Sequence, residues 1–386
     1  MIKGGASMSG PADLPGATVA KKPVVVVVFN QKGGIGKTTT SVNLAVCLAA
    51  LGHSVVLIDL DAQSNATTSV GLATAPATGV YQVLTGVVTV AEALRETPYA
   101  NLRVIAGSDD LSWADVEIAV KPEPNYVLER ALAGVPDDVE VVVVDCPPAF
   151  GILSVNATVA ADVVVLPVVP APLALDGLHK AWWNIQKIRT HYNRDLNSMG
   201  ILLTKTEYDD TSRRLTEAIA ASFGPRVLPA MVPRDNKVVE AAERDLPLMV
   251  FDPDSPAARA YLLVAELVLT RLIPGSLGHH RAALSVSARD RAVAVLRSWG
   301  PRRGEGPHSG PPQKTGRPVR ETQPMAVGAP PNSAWASSVP DEAEGEKAAF
   351  TLPKAGIGWK LGVALLLMVL GGIIGFALGS RWPGML

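Results

Sequence analysis

The chain holds only two cysteines, Cys47 and Cys146, in 386 residues. Both lie in apolar stretches without metal-ligand spacing, which excludes a disulfide framework and leaves buried thiols as the expectation. An excess of one charge is also missing. The 35 Lys and Arg against 36 Asp and Glu leave a formal net charge of −1, so only a local basic patch can speak for a nucleic-acid partner. The N-terminus lacks an apolar core of signal-peptide length. Residues 1–22 are rich in Gly, Pro, Ser and Ala and read as a flexible lead-in.

Apolar runs and helical patterns alternate through residues 23–273. Val24–Phe29 is a continuous apolar run of the kind that a parallel sheet buries on both faces. Thr38–Leu51 follows with helical spacing and ends at Gly52; Val55–Leu60 is the next strand, which completes a βαβ unit. Further strands are expected at Leu102–Ile105, Val141–Asp145, Val163–Pro167 and Gly200–Thr204. Helices are expected at Leu173–His191, Thr211–Phe223 and Pro256–Leu272, with Val227–Leu228 as a short edge strand before a loop at Met231–Arg234. This alternation predicts an α/β fold of three layers around a mostly parallel sheet.

The composition then shifts. Residues 274–300 are basic, with a helical pattern over Arg281–Trp299; residues 301–358 are dense in Pro, Gly, Ser and Ala and read as a disordered linker. Leu361–Leu378 is an uncharged run flanked by Trp359, Lys360, Arg381 and Trp382. As a helix it measures about 27 Å at 1.5 Å per residue, close to a bilayer core of roughly 30 Å. Residues 359–380 are therefore expected to form one transmembrane helix, with a short tail at 381–386 and the preceding domain in the cytoplasm.

The chemistry concentrates between the first strand and helix, in Gln31-Lys32-Gly33-Gly34-Ile35-Gly36-Lys37-Thr38-Thr39. Gly33, Gly34 and Gly36 permit tight backbone geometry and close approach of phosphate oxygens. Successive N–H groups, together with the start of a helix, favour an anion. Lys37 is expected on the β- and γ-phosphates of ATP and the Thr38 hydroxyl on Mg2+. Lys32 is a second lysine that a simple phosphate loop does not demand; two lysines here repel without an anion, so Lys32 either serves the bound nucleotide or reaches across a dimer interface as an arginine finger does. Asp59 and Asp61 end the second strand on one face, at the carboxyl edge where open α/β sheets bind ligands. One of the two is expected to orient the attacking water and the other to assist the magnesium shell. Asp145 ends another strand and suits the magnesium shell as well.

These residues together resemble the ParA/MinD family of deviant Walker A ATPases, nearest the ParA/Soj branch. The signature KGGxxKT falls on Lys32–Thr38; DLDAQSNAT at Asp59–Thr67 and DCPP at Asp145–Pro148 match two further family stretches. The resemblance covers roughly residues 24–273. It implies a P-loop fold, slow hydrolysis of ATP stimulated by a partner protein, and an ATP-dependent homodimer that binds DNA without sequence preference. It assigns Lys37 and Lys32 as the ordinary and the trans-acting lysine. Thr38 becomes the magnesium ligand, Asp61 the residue that positions water, and Asp145 the Walker B acid. Gly33, Gly34, Ile35, Gly36, Thr39 and Asp59 complete the nucleotide site. The family's Pro-Arg stretch falls on Pro233-Arg234, with Lys237 three places on. An arginine expected after Tyr208-Asp209 is absent, and Arg213 and Arg214 lie just beyond. These four cations are the DNA-binding candidates.

The family's soluble members stop near residue 273, so the added tail sets the expected function. The chain is read as an inner-membrane, single-pass ATP switch that positions a cargo from the membrane. A partition ATPase that binds DNA nonspecifically as an ATP dimer is the alternative. The stretch after Pro274 has no tyrosine, which argues against an autophosphorylating kinase on the same scaffold.

Overall fold

The computed structural model describes residues 22–72, 76–196, 198–272 and 286–300. In chain order the elements are β1 (Val24–Val28), α1 (Lys37–Ala50), β2 (Val55–Asp59), α2 (Asn65–Ser69), α3 (Val80–Thr85), α4 (Val90–Ala93), β3 (Leu94–Glu96), β4 (Leu102–Ile105), α5 (Ala114–Ala119), α6 (Val127–Leu132) and β5 (Val141–Asp145). There follow α7 (Ile152–Ala160), β6 (Val163–Val168), α8 (Ala174–His191), β7 (Ser198–Thr206), α9 (Asp210–Phe223), β8 (Val227–Pro233), α10 (Asn236–Ala242), α11 (Leu248–Phe251), α12 (Pro256–Leu267) and α13 (Val286–Trp299).

The strands form one eight-stranded sheet in the order β3-β4-β2-β5-β1-β6-β7-β8, parallel except for the short edge strand β3. β1 and β5 lie at its centre and are valine throughout except for the closing Asp145. Their side chains alternate between two faces. Val24, Val26 and Val28 enter one core with α1, α12 and α13; Val25 and Val27 enter the other with α7 and α8. Two covered faces make three layers and explain why the central strands are apolar at every position.

Helix α1 leads from β1 to β2 and is buried nearly all round, from Lys37 to Ala50. It packs against α12 and α13. Leu296 of α13 is fully buried in the α1 core, and Arg289 pairs with the buried Glu266 of α12. The basic stretch 274–300 thus contributes a helix with one apolar face on the domain.

At the opposite edge, β8 runs to Pro233, beyond the two residues expected. Its burial alternates from Leu228 to Val232, and an edge strand tolerates Pro229 because its missing N–H faces no partner.

The transmembrane part of the expected fold class is corrected. Among the described residues no helix is long and apolar enough to cross a membrane. The run Leu361–Leu378 and the linker expected at 301–358 lie outside the described residues.

Candidate nucleotide site

β1 ends at the sheet's centre, and the chain turns back over its carboxyl edge before α1. Gly34 and Gly36 take φ of +71° and +88° there, a left-handed backbone that a side chain would strain. Gly36 caps α1 without any side-chain hydrogen bond, and the first turn holds no acid. Its N–H groups are thus left for an anion. Lys37 is only 6% exposed, and its Nζ donates to the Lys32 carbonyl at 3.1 Å. Burial lowers the Lys37 pKa, and the charges of Asp145 and Asp61 oppose that shift. A buried cation beside a helix start and two acids is an arrangement that a polyphosphate completes. The Lys32 side chain is exposed, as is Gly33.

The acids converge on the same edge. Thr38 Oγ1 donates to Asp145 Oδ2 at 2.8 Å, and Ser41 Oγ donates to Oδ1 at 2.7 Å. Asp59 stands opposite Asp145 in the strand register and is held by the Thr67 N–H and hydroxyl, each at 2.8 Å. Burial, then the neighbouring Asp59 charge, pushes Asp145 up to about 7; burial pushes Asp59 up to about 6. Asp61 is only partly buried; its N–H donates to Asp59 Oδ1 at 3.1 Å, and its Oδ1 accepts from the Gln63 N–H at 3.0 Å. One hydroxyl and a buried carboxylate are the oxygen donors that suit magnesium, which keeps several waters. When bound, the ion neutralises phosphate charge. Burial also raises both cysteine thiols, so neither Cys47 nor Cys146 is a nucleophile at neutral pH.

The site thus brings together Lys32, Gly33, Gly34, Ile35, Gly36, Lys37, Thr38, Thr39, Asp59, Asp61 and Asp145. Sequence reasoning missed Ser41, Thr67, Thr204 and Lys205. Ser41 was accessible by helical spacing, three residues after Thr38 on the same face. Thr67 closes the DLDAQSNAT stretch, eight residues after the Asp59 it holds; Thr204 and Lys205 come from a distant segment and carry no local signal. A cleft of about 250 Å3 opens beside Thr38 and Thr39, between α1, α2 and the α10–α11 connection. A larger one of about 720 Å3, lined by Val83, Val87, Val90 and Arg130, shares no residue with the loop.

The DNA-binding candidates lie around the carboxyl ends of β7 and β8. Three are paired with acids: Arg213 with Asp210 at 2.9 Å, Arg234 with Glu207, and Lys237 with Glu240 at 2.8 Å. Arg214 is exposed on the first turns of α9. Asp209 caps that helix, accepting from the Thr211 and Ser212 N–H groups.

Fold and site define a P-loop ATPase of the three-layer α/β class. Residues 23–198 match the family described as AAA domain. The chain is 35% identical over 246 residues to the sporulation initiation inhibitor protein Soj of Bacillus subtilis, covering 63% of this chain and 97% of Soj. It is 36% identical over 251 residues to the chromosome partitioning protein ParA of Caulobacter vibrioides, covering 64% and 94%. Among solved structures, cobyrinic acid a,c-diamide synthase from Mycobacterium smegmatis with bound ADP and magnesium superposes with a TM-score of 0.56 at 30% identity, over 64% of this chain and 94% of that one. The chain belongs to the ParA/Soj family. It is a magnesium-dependent ATPase, with ATP and Mg2+ as its nucleotide and ion.

These findings correct the membrane reading. The relatives are matched over nearly their full length by under two thirds of this chain, and among the described residues no helix is long and apolar enough to cross a membrane. The added transmembrane tail, the membrane as a partner, the inner-membrane location and the tethered mode of action are withdrawn. The relatives favour the partition alternative over the tethered switch.

Proposed function

We propose that this chain is a DNA-partition ATPase that dimerises with ATP and, as the dimer, binds DNA without sequence preference. The observation that carries the reading is the division of labour between two lysines of one loop. Lys37 is buried, with its ammonium on the Lys32 carbonyl, while the Lys32 side chain is exposed beside Gly33. One cation serves the chain's own nucleotide, and the other is free to serve a nucleotide held by a second copy. A Cβ on Gly33 meets nothing within 4 Å in the single chain, so its openness suits approach of a partner.

In this account the loop N–H groups and Lys37 bind the triphosphate, and Thr38 with Asp145 holds magnesium. Asp61 orients the attacking water at the carboxyl edge. Hydrolysis is slow until a partner protein stimulates it, and release of phosphate returns the dimer to monomers. The names of the relatives, chromosome partitioning protein and partitioning ATPase, support DNA as the substrate surface. With three candidate cations tied to acids, one protomer offers weak phosphate contacts, and doubling them in a dimer makes binding depend on ATP.

The test is duplex binding titrated with salt, in ATP and in ADP. Binding at low salt is expected with ATP alone, and the combined substitutions Arg234→Glu and Lys237→Glu should reduce it at least tenfold. Absence of any low-salt binding by the ATP-loaded protein rejects the DNA part of the proposal.

A further inference from the structure

Between Thr204 and Thr206, strand β7 carries one residue more than β8 sets against it. Leu203 and Thr204 pair with Met231 and Val232, and the next pairing joins Thr206 to Pro233. Lys205 is the extra residue. Its φ of +50° is left-handed, unusual for a residue other than glycine. A bulge of this kind redirects a side chain. Here Lys205 Nζ donates to the Gly34 carbonyl at 2.7 Å, and Thr204 Oγ1 donates to the Ile35 carbonyl at 2.8 Å. Two successive residues at the end of β7 therefore hold two successive carbonyls of the glycine loop.

A trans peptide sets its carbonyl and its N–H on opposite sides. A cation fixed on the Gly34 oxygen thus fixes the direction of the Ile35 N–H, and by drawing electron density toward the oxygen it makes that N–H a stronger donor. Strained backbone persists where the surroundings hold it, and such positions cluster at functional sites.

We propose that Lys205 is a positioning residue of the ATP site: through the Gly34 carbonyl it aligns and polarises the Ile35 amide for a phosphate oxygen. The inference rests on the reading of Gly33–Thr38 as the phosphate loop. Lys205 does not touch the reacting atoms; it acts through the peptide between Gly34 and Ile35. Its contribution belongs to nucleotide binding rather than to the chemical step.

Three variants separate the amine from the backbone. Lys205→Gly keeps a residue at ease with positive φ and removes the ammonium; Lys205→Met removes the charge with similar bulk; Lys205→Arg restores a cation. Two readouts are taken, equilibrium ATP affinity with kcat, and the Ile35 amide proton shift in the nucleotide-free protein. The glycine and methionine variants should bind ATP about five- to twentyfold more weakly with kcat changed less than twofold. Their Ile35 amide should move upfield, and arginine should recover most of the affinity. Wild-type affinity and an unmoved Ile35 amide in the glycine variant overturn the proposal, as does equal loss in all three variants with a lowered melting temperature. Lys37→Ala is run in parallel. If it binds ATP as the wild type does, the phosphate-loop reading fails and takes this inference with it; if it loses ATP while the Lys205 variants keep it, only the role of Lys205 falls.

Discussion

Asp59 and Asp145 stand opposite each other at the carboxyl ends of β2 and β5, and both are cut off from solvent. Two buried carboxylates at adjacent register positions resist ionising together. Their raised pKa values, about 6 and about 7, have a definite consequence for stability. Between about pH 4 and pH 7 the folded protein retains protons that an unfolded carboxylate releases. Rising pH through that window therefore favours unfolding, and the loss levels off above the folded pKa. Asp145→Asn removes the repulsion, and the hydroxyls of Thr38 and Ser41 can turn to suit the amide. In nucleotide-free urea melts, the stability of this variant relative to wild type should grow by on the order of 2 kcal/mol from pH 5 to pH 7. A difference that stays flat across that range contradicts the coupling.

Lys37 offers a cleaner test of the loop. Its ammonium is buried against the Lys32 carbonyl and close to Asp145 and Asp61. Lys37→Ala should leave the fold intact and weaken ATP at least tenfold, which is a loss of about 1.4 kcal/mol or more. Equilibrium titration with a fluorescent ATP analogue measures it, and unchanged affinity removes the phosphate site.

Helix α13 lies beyond residues 23–198, which the family model matches, yet Leu296 is fully buried behind α1 and Arg297 pairs with Asp254 at 2.7 Å. Leu296→Ala should cost about 2–4 kcal/mol through lost burial and the cavity left behind. A drop in melting temperature of roughly 5–10 °C is expected. A melting temperature within a degree of wild type shows that α13 adds nothing to the domain's stability.

Much of this was legible in the sequence where the signal is local. Val24–Val28 could be little other than a central strand, and the glycines with Lys37 and Thr38 announced a phosphate loop because strand, loop and helix adjoin. Helix α7 escaped because Ile152–Ala160 is buried on almost every side, so no polar face marks its period. β8 extends past the expected Val227–Leu228 to Pro233, through the expected loop at Met231–Arg234. The Lys205 bulge is a mismatch of register between two strands, and no residue pattern within either strand encodes it. The pairing of Arg234 with Glu207 was hidden for the same reason, since β7 and β8 must first lie side by side. The apolar run at Leu361–Leu378 has the length and composition of a membrane span, and the likeness to Soj and ParA does not support that reading.

On the proposed function, ATP joins two copies of this chain through Lys32, the exposed lysine of the loop. Sedimentation of the protein in ADP, in ATP, and as the Asp61→Ala and Lys32→Ala variants distinguishes this from a monomeric ATPase. Wild type should be monomeric in ADP and shift to a dimer in ATP. Asp61→Ala should bind ATP, hydrolyse it at least tenfold more slowly and remain dimeric. Lys32→Ala should bind ATP and stay monomeric. The same mass for the wild type in ATP and in ADP, or a Lys32→Ala dimer as tight as the wild type's, contradicts the account.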